Sequence, residues 1–260
     1  NTAGGPFGPG WTHAYQQAIT ESSGGLTLTG GDGVPSLFRD TDGDGSYEAT
    51  VPFSKESWVV KEPDGSYVRR LRKGGRETYS SAGRLASLVD ELDNVTAVSY
   101  DSSGRLTTLT APGGRSLTLA YTGASTQPSS LSGPTGLIAT YGYENGFLTS
   151  VTYADGPDDG SDPDGGYGFT YYPTGQLESV RDHDGKILET HTYDSSGRAL
   201  TSAVSGEIEK YTLEYQPLKT IVRSRRAADL PEDVTVHEYS TIWGMKRPTK
   251  ATGPCGSCGG

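Results

Sequence analysis

Short runs of alternating hydrophobic and polar residues make up most of this chain. In one such run Leu117, Leu119 and Tyr121 occupy every second position, with Thr118 and Ala120 between them. Because successive side chains of a strand point to opposite faces, this alternation places the larger residues on one face of a β-strand. No stretch shows the periodicity of a helix of ordinary length. The pattern therefore predicts an all-β protein.

Glycine-containing turns separate these runs at short intervals. Asp64-Gly65, Asn145-Gly146 and Asp184-Gly185 each lie between two alternating segments. Such pairs favour two-residue hairpin turns, in which both central residues have positive φ. The chain is therefore predicted to consist of short antiparallel hairpins. A tyrosine is expected to close a strand and to cover the neighbouring hairpin.

Tyrosine recurs along the chain at a nearly constant spacing. The steps from Tyr79 to Tyr100 and from Tyr100 to Tyr121 are both 21 residues. A fixed period of this length indicates a repeat architecture. The six residues from Tyr100 to Arg105 (Tyr-Asp-Ser-Ser-Gly-Arg) return unchanged from Tyr193 to Arg198, and both arginines are expected on the surface. The tyrosines predicted to be structural are Tyr79, Tyr100, Tyr121, Tyr143, Tyr172, Tyr193, Tyr215 and Tyr239.

The motif Tyr-Asp-x-x-Gly-Arg-Leu with its 21-residue period resembles the YD repeats of the RHS family. The resemblance covers roughly 58–239, and Phe7–His13 is similar to a segment that often precedes such repeats. Members of the family form a long β-sheet that spirals into a hollow shell. In bacterial toxins the shell encloses a toxic domain, and in animal teneurins it is part of an adhesion receptor. The resemblance implies a curling antiparallel sheet of YD-repeat β-hairpins, a partial shell or solenoid.

The period divides the chain into three predicted parts. Residues 1–57 lack it and are expected to form an N-terminal β segment with an Asp-rich loop. Residues 58–250 are expected to form the YD-repeat β-sheet, and 251–260 a tail rich in glycine and cysteine. Between Tyr143 and Tyr172 the spacing grows to 29 residues. The excess lies in the acidic segment 155–166, whose composition predicts a loop.

Composition excludes several classes of protein. The net charge is −10, which argues against a nucleic-acid partner. No apolar run is long enough to span a membrane. Glycine accounts for 37 of 260 residues and hydrophobic residues for only 32%, which favours a thin sheet over a thick core. The sequence opens at Asn1 without a methionine, so we expect processing or excision from a longer protein. We expect an extracellular or cell-surface protein.

An acidic segment offers the best candidate metal site. Asp40, Asp42 and Asp44 occupy positions 1, 3 and 5 of an EF-hand-like calcium loop, and Ser46 and Glu48 follow as further oxygen donors. The residue at position 12 is valine instead of glutamate, and no helix is expected on either side. Two interpretations stay open: a Ca²⁺ site, which is the only cofactor expected, or an acidic turn that binds nothing.

Cys255 and Cys258 form a single Cys-x-x-Cys near the end of the sequence. A zinc site of this kind needs a second pair, and a thioredoxin-like redox site needs a βαβ context. Three alternatives remain: a local disulfide, a bridge between subunits, or a pair completed by residues outside this sequence. Extracellular conditions favour a disulfide.

The chain lacks the common catalytic motifs G-x-S-x-G, H-E-x-x-H and the P-loop, so no enzyme activity is expected. The favoured function is a non-catalytic extracellular scaffold that assembles head to tail into a fibre or shell. The alternatives are a fragment of an RHS toxin-encapsulating shell and a carbohydrate-binding or adhesion module. Expected partners are other copies of the chain or the remaining parts of a longer RHS chain, with glycans as a further candidate. Residues 1–10 are expected to be held by the chain's own sheet or by a neighbouring copy.

Overall fold

The protein is built from β-strands. The computed structural model describes residues 4–50, 57–154, 165–227, 229–242 and 245–254. These residues contain strands and one 3-10 turn, Ser205–Glu207, but no α-helix, which confirms the all-β prediction. Within them no helix could cross a membrane. Contacts group the chain into two compact units, Asn1–Asp158 and Asp159–Gly260.

The first unit holds sixteen of the described strands. A small two-stranded sheet, β1 with β2, precedes an antiparallel sheet in which each strand from β3 to β16 pairs with the next one. The strands are β1 (Gly4–Gly5), β2 (Gly8–Pro9), β3 (Ala18–Ser22), β4 (Gly25–Thr29), β5 (Pro35–Arg39), β6 (Ser46–Ala49), β7 (Ser57–Lys61), β8 (Tyr67–Leu71), β9 (Arg76–Tyr79), β10 (Leu85–Val89), β11 (Val95–Tyr100), β12 (Leu106–Thr110), β13 (Ser116–Tyr121), β14 (Pro128–Gly133), β15 (Gly136–Glu144) and β16 (Phe147–Tyr153).

The sheet of the first unit curls, as the resemblance implied. Ala18 in β3 forms an isolated antiparallel bridge with Arg84, just before β10. The N–H of Ile19 donates to the carbonyl of Gly83 at 2.8 Å. This contact brings together strands that are distant in the sheet order, and β11 to β16 extend the sheet of this unit beyond it. The predicted boundary between residues 57 and 58 falls inside β7, which pairs with β6 and with β8.

The curl encloses the main hydrophobic cluster. Phe38, Val59 and Leu85 are fully buried, at 0% exposure. Alternate residues of β4 are buried, as in a strand that has one face against a core. The buried cluster consists of Ile19, Leu26, Leu28, Phe38, Ala49, Val59, Tyr67, Tyr79, Leu85, Val98 and Leu106. The cluster therefore contains residues of the segment before the repeats as well as residues of the first repeats.

The second unit is an eight-stranded antiparallel sheet in which consecutive strands pair. Among its described residues only Ser179 and Ala203 are buried. Hydrophobic residues of this unit therefore keep part of their surface in water. Its strands are β17 (Gly166–Tyr171), β18 (Leu177–Asp182), β19 (Ile187–Tyr193), β20 (Ala199–Val204), β21 (Ile208–Gln216), β22 (Lys219–Arg225), β23 (Asp233–Ile242) and β24 (Met245–Thr252).

Ten hairpin turns of the described residues share one five-residue geometry. The N–H of the first residue donates to the carbonyl of the fifth, and the N–H of the fourth donates to the carbonyl of the first, as in Asp101–Arg105 (3.0 and 2.9 Å). The fourth residue has positive φ and is glycine in nine turns and Asp93 (φ 61°) in the tenth. The turns are 30–34, 62–66, 71–75, 80–84, 90–94, 101–105, 111–115, 172–176, 182–186 and 194–198.

This geometry corrects two of the predicted turns. At Asp64-Gly65 and Asp184-Gly185 only the glycine has positive φ, at 85° and 80°, so the two-residue turns predicted there are wrong. A type I turn closed by one left-handed residue also matches the twist of a hairpin. At Asn145-Gly146 both residues have positive φ (50° and 83°) and Glu144 pairs with Phe147, which confirms the two-residue turn.

Candidate functional site

Asp101 organises the turn that follows Tyr100. Its Oδ1 atom accepts the backbone N–H groups of Ser103 and Arg105, both at 2.9 Å. Its Oδ2 atom accepts Nε of Arg105 at 2.7 Å. The pKa of Asp101 lies below its ordinary value because hydrogen bonds stabilise its carboxylate. The largest contribution comes from the backbone N–H of Arg105 and the next from its guanidinium. The motif residues Asp and Arg therefore fix the turn and each other.

The next repeat closes over this arginine. The guanidinium of Arg105 lies over the ring of Tyr121, 4.6 Å from its centroid. The Tyr121 hydroxyl donates to the main-chain carbonyl of Leu106 at 2.7 Å. Arg105 also donates to the carbonyls of Gly123 (2.9 Å) and Ser125 (2.8 Å). We call this arrangement the tyrosine clasp: an Asp-bound arginine, the tyrosine of the following repeat over it, and the carbonyl after the arginine.

A second tyrosine clasp has the same geometry. Asp194 accepts the backbone N–H and the Nε of Arg198 at 2.9 and 2.8 Å, and these bonds again hold its pKa low. The guanidinium of Arg198 lies 4.4 Å from the ring centroid of Tyr215. The Tyr215 hydroxyl donates to the carbonyl of Ala199 at 2.8 Å. The two identical sequence motifs thus make the same joint to the repeat that follows.

Two further joints keep part of the arrangement. Arg84 lies over the ring of Tyr100 at 5.8 Å, and its turn has Ser80 where the motif has Asp. The Tyr172 hydroxyl donates to the carbonyl of His191 at 3.0 Å. Its ring meets that of Tyr193 edge-on at 6.1 Å. A repeat tyrosine therefore contacts the adjacent repeat even where the motif is incomplete.

Residues 79–116, which include one complete motif and its turn, match the RHS Repeat family model. This segment carries an RHS repeat. The described strands form a β-scaffold, and the tyrosine clasp joins one repeat unit to the next at Tyr121 and at Tyr215.

Comparison of the structure with solved structures finds similar chains. One is in the crystal structure of TcdB2-TccC3-Cdc42, with 14% identity, a TM-score of 0.44 and coverage of 89% of this chain. Another is in the crystal structure of TcdB2-TccC3-TEV, with 14% identity, a TM-score of 0.43 and coverage of 91%. This chain spans 16% of the length of each. No curated protein sequence matches it.

The repeat tyrosines differ in burial. Tyr79 is 1% exposed, and its hydroxyl lies within hydrogen-bond distance of Gln17 (3.0 Å) and Glu77 (2.7 Å). Burial raises the pKa of Tyr79, Tyr100, Tyr121 and Tyr193 because it disfavours the phenolate. These phenols are therefore protonated at neutral pH, and those of Tyr79 and Tyr121 donate hydrogen bonds.

Most of the repeat tyrosines end or nearly end a strand. Tyr100 ends β11, and Tyr172 lies one residue past the end of β17. Tyr239 lies within β23, where its N–H donates to the carbonyl of Leu218. Burial strongly raises the pKa of Tyr143, whose hydroxyl finds no partner among the described residues.

A polar network around Tyr79 was not foreseen from the sequence. Arg69 donates to Glu77 at 3.1 Å and to Ser57 at 3.2 Å, and Glu77 also accepts the Tyr79 hydroxyl. The side chains of Arg69 and Glu77 are 24% and 12% exposed. Arg69 and Glu77 are opposite in charge and are paired across β8 and β9, which gives a weak signal in the sequence. The contact from Gln17 to Tyr79 gives none.

The predicted calcium residues are partly brought together. One carboxylate oxygen from each of Asp40, Asp42 and Asp44 lies within 4.8 Å of the others, in the loop between β5 and β6. Asp40 accepts the backbone N–H groups of Gly43 (2.7 Å) and Gly45 (3.0 Å). The other two predicted donors, Ser46 and Glu48, lie in β6, and the three-carboxylate group does not include Glu48. Each loop carboxylate therefore still has oxygen lone pairs for a cation.

The predicted disulfide residues, Cys255 and Cys258, and the acidic loop residues 155–164 lie outside the described residues. A disulfide at the two cysteines stays a prediction. The expected surface position of Arg105 is wrong, since its side chain is only 21% exposed. The bonds to Gly123 and Ser125 explain this difference, because they draw the guanidinium under the next loop.

Proposed function

We propose that this chain is a non-catalytic, extracellular scaffold whose RHS repeats assemble head to tail into a fibre or shell. The observation that carries this proposal is the tyrosine clasp. In each clasp the arginine is bound by the aspartate of its own turn. The tyrosine of the next repeat donates to the main-chain carbonyl that follows this arginine, so the clasp joins one repeat to the next. Repeats joined only to their neighbours form arrays that lengthen by adding units.

The small core of the second unit is a further reason to propose that its sheet packs against other protein. With only Ser179 and Ala203 buried among its described residues, its sheet has little hydrophobic core of its own. A sheet is stable when at least one face packs against other protein. Further repeats of a longer RHS chain, or another copy of this chain, would supply that cover.

Sedimentation velocity across a concentration series tests the assembly, with electron microscopy of the same samples. The expected result is a sedimentation coefficient that rises with concentration, together with particles of regular repeat. A single monomeric species at every concentration would show that this chain does not assemble by itself. Glycan binding stays a prediction, which a glycan array tests.

We also propose that Asp40, Asp42 and Asp44 bind Ca²⁺. Their carboxylates repel one another at 4.8 Å or less, and a cation removes this repulsion. Ligand that binds only the native state raises its stability, by about 2.7 kcal/mol at a hundred times Kd. Millimolar calcium should therefore raise the melting temperature, and Asp42→Asn should abolish the rise. Asp64→Asn is the matched control because Asp64 binds its own turn at Ser66. Identical melting curves in calcium and in chelator would exclude the site.

A further inference from the structure

Polar side chains from three neighbouring strands of the second unit share one face of its sheet. Tyr211 in β21 pairs with Ser224 in β22, which pairs with Asp233 in β23. Residues directly opposite each other lie on the same face, so these three side chains form a row across the strands. Two positions further along, the N–H of Glu209 donates to the carbonyl of Arg226 at 3.3 Å. This bond brings Glu209 and Arg226 together beside the row.

A cavity of about 390 Å³ lies at this cluster. Its volume is within the range of about 300–1,000 Å³ that small-molecule sites occupy. Its lining residues are Glu209, Tyr211, Ser224, Arg225, Arg226 and Asp233. The cavity therefore combines one aromatic ring with carboxylates, guanidinium groups and a hydroxyl.

The charged groups of this cavity lack partners within the protein. Among the described residues, the side chains of Glu209, Arg226 and Asp233 make no hydrogen bond or ion pair. Arg225 donates from Nη2 to Glu232 at 2.8 Å, but its Nε is buried and finds no acceptor in the described part of the chain. A buried donor without a hydrogen bond destabilises the protein. The cavity thus offers acceptors and donors that a ligand can satisfy.

A β-bulge places Glu209 at the cavity. Val204 pairs with Ile208 and Ser202 pairs with Tyr211, so two residues of β21 lie opposite one residue of β20. Glu209 has φ of +50°, in the left-handed region that glycine, asparagine and aspartate adopt more readily than glutamate. Bulges are frequent next to active sites, where they redirect a side chain. Here the strained residue is the one whose carboxylate lines the cavity.

We propose that this cavity binds one pyranose ring of a neutral glycan. Tyr211 is 46% exposed, so its ring can stack on the C–H face of a sugar. Each sugar hydroxyl both donates and accepts, so hydroxyls around one ring satisfy the carboxylates of Glu209 and Asp233 and the free N–H of Arg225. The two carboxylates repel an inorganic anion, and Arg226 repels a simple cation. A neutral polyol with an apolar face therefore suits this lining best.

This binding is independent of the proposed assembly. None of the cavity residues belongs to a tyrosine clasp, and the site needs no contact between copies of the chain. The proposal gives the glycan-binding prediction a location and a ligand class. Failure of the site would leave the scaffold proposal standing, and failure of assembly would leave the site standing.

NMR titration of the whole chain with small probes tests the site. The sugar probes are the methyl glycosides of glucose, galactose, mannose, fucose and N-acetylglucosamine. Inorganic phosphate and spermine are the anionic and cationic probes. At least one glycoside should bind with a dissociation constant of about 1 mM, as expected for a ligand of this size. Phosphate and spermine should not bind.

Matched variants identify the groups that bind the sugar. Glu209→Gln and Asp233→Asn should each weaken glycoside binding about tenfold or more, the usual effect of losing a hydrogen bond to a charged group. Glu238→Gln, at an exposed position of β23 outside the cavity, is the control and should leave binding unchanged. Tyr211→Ala should weaken binding about tenfold, whereas Tyr211→Phe keeps the ring and should bind within about twofold of the parent protein.

Glu209→Gly separates the site from the stability of the fold. Glycine adopts the left-handed conformation without strain, so this variant should melt at a higher temperature than the parent protein. It should nevertheless bind the same glycoside about tenfold more weakly, because the carboxylate is gone. Three results would each overturn the proposal: no binding of any glycoside, binding of phosphate or spermine in their place, or a Glu209→Gly variant that binds as tightly as the parent.

Discussion

The repeats that begin at Tyr100 and at Tyr193 carry the same six residues and differ in their surroundings. Their turn hydrogen bonds agree within 0.1 Å: the aspartate accepts the arginine N–H at 2.9 Å in both, and the Nε at 2.7 and 2.8 Å. Yet the Arg105 side chain is 21% exposed and that of Arg198 is 53% exposed. The motif therefore determines the local geometry but not the burial.

The chain that follows each clasp explains the difference. After Tyr121 a loop turns back and presents the carbonyls of Gly123 and Ser125 to Arg105. After Tyr215 a tight turn pairs Gln216 with Lys219. The first repeat also reaches the hydrophobic cluster through Leu106, which is 7% exposed. Identical motifs thus have different energetic consequences, and matched substitutions at the two sites can measure them.

The largest expected contrast is between Tyr100→Ala and Tyr193→Ala. Tyr100 packs against the buried cluster, so its truncation should cost about 3 kcal/mol of unfolding free energy, within the range for buried aromatic residues. Tyr193→Ala should cost about 1–2 kcal/mol, because its unit has so little core. Urea denaturation followed by fluorescence and circular dichroism measures both, with the two units fitted as separate transitions where they do not coincide. Equal losses would show that the cluster adds nothing to the Tyr100 repeat.

The two arginines provide the next contrast. Arg105→Ala removes two hydrogen bonds to carbonyls and a cation–π contact from a half-buried site, and should cost about 2 kcal/mol. Arg198→Ala removes a similar cation–π contact from an exposed site and should cost less than about 1 kcal/mol. Arg115→Ala, at an exposed turn position, is the control. If both clasp variants unfold at the same urea concentration as the control, the clasp contributes no stability.

Removal of one hydroxyl should affect both repeats alike. Tyr121→Phe and Tyr215→Phe each lose a hydrogen bond to a main-chain carbonyl, at 2.7 and 2.8 Å, and keep the ring. Each should cost about 1 kcal/mol, the usual net value of such a bond. Tyr211→Phe, in an exposed strand position, is the control. A loss at only one of the two sites would contradict the view that the clasp is shared.

The smallest effect should be the response to acid. The pKa values of Asp101 and Asp194 are lower in the folded than in the unfolded chain, so their contribution is full above the unfolded pKa of about 3.9 and is lost as the pH falls through the folded value. In Asp101→Asn and in Asp194→Asn the free energy of unfolding should therefore fall less steeply with pH below pH 4 than in the parent protein, by similar amounts. Urea titrations from pH 7 down to pH 2 check this. A steeper fall in either variant would show that folding does not lower the pKa of that aspartate.

Much of the fold could be predicted because its signals are local. The spacing of Tyr100, Tyr121 and Tyr193, the alternating strands and the glycine turns all lie within one repeat of the chain. The turn at Asp64-Gly65 was misassigned because two hairpin geometries use the same residue pair, and only the φ angle of Asp64 distinguishes them.

Contacts between distant residues could not be predicted in the same way. The bond between Gln17 and Tyr79 spans 62 residues, and the Phe7–Tyr141 contact spans most of the first unit. Neither pair has a pattern in the sequence that marks it. The burial of Arg105 likewise depends on the path of the chain after Tyr121, which its own motif does not encode.

The clasp hydroxyl has a consequence for how such proteins diversify. Its acceptor is a main-chain carbonyl, and the residue that supplies it is leucine at 106 and alanine at 199. A carbonyl is present whatever the side chain, so substitution at these positions leaves the joint intact. Two units with different residues after the arginine can therefore form the same joint, so sequence variation at that position is compatible with the clasp.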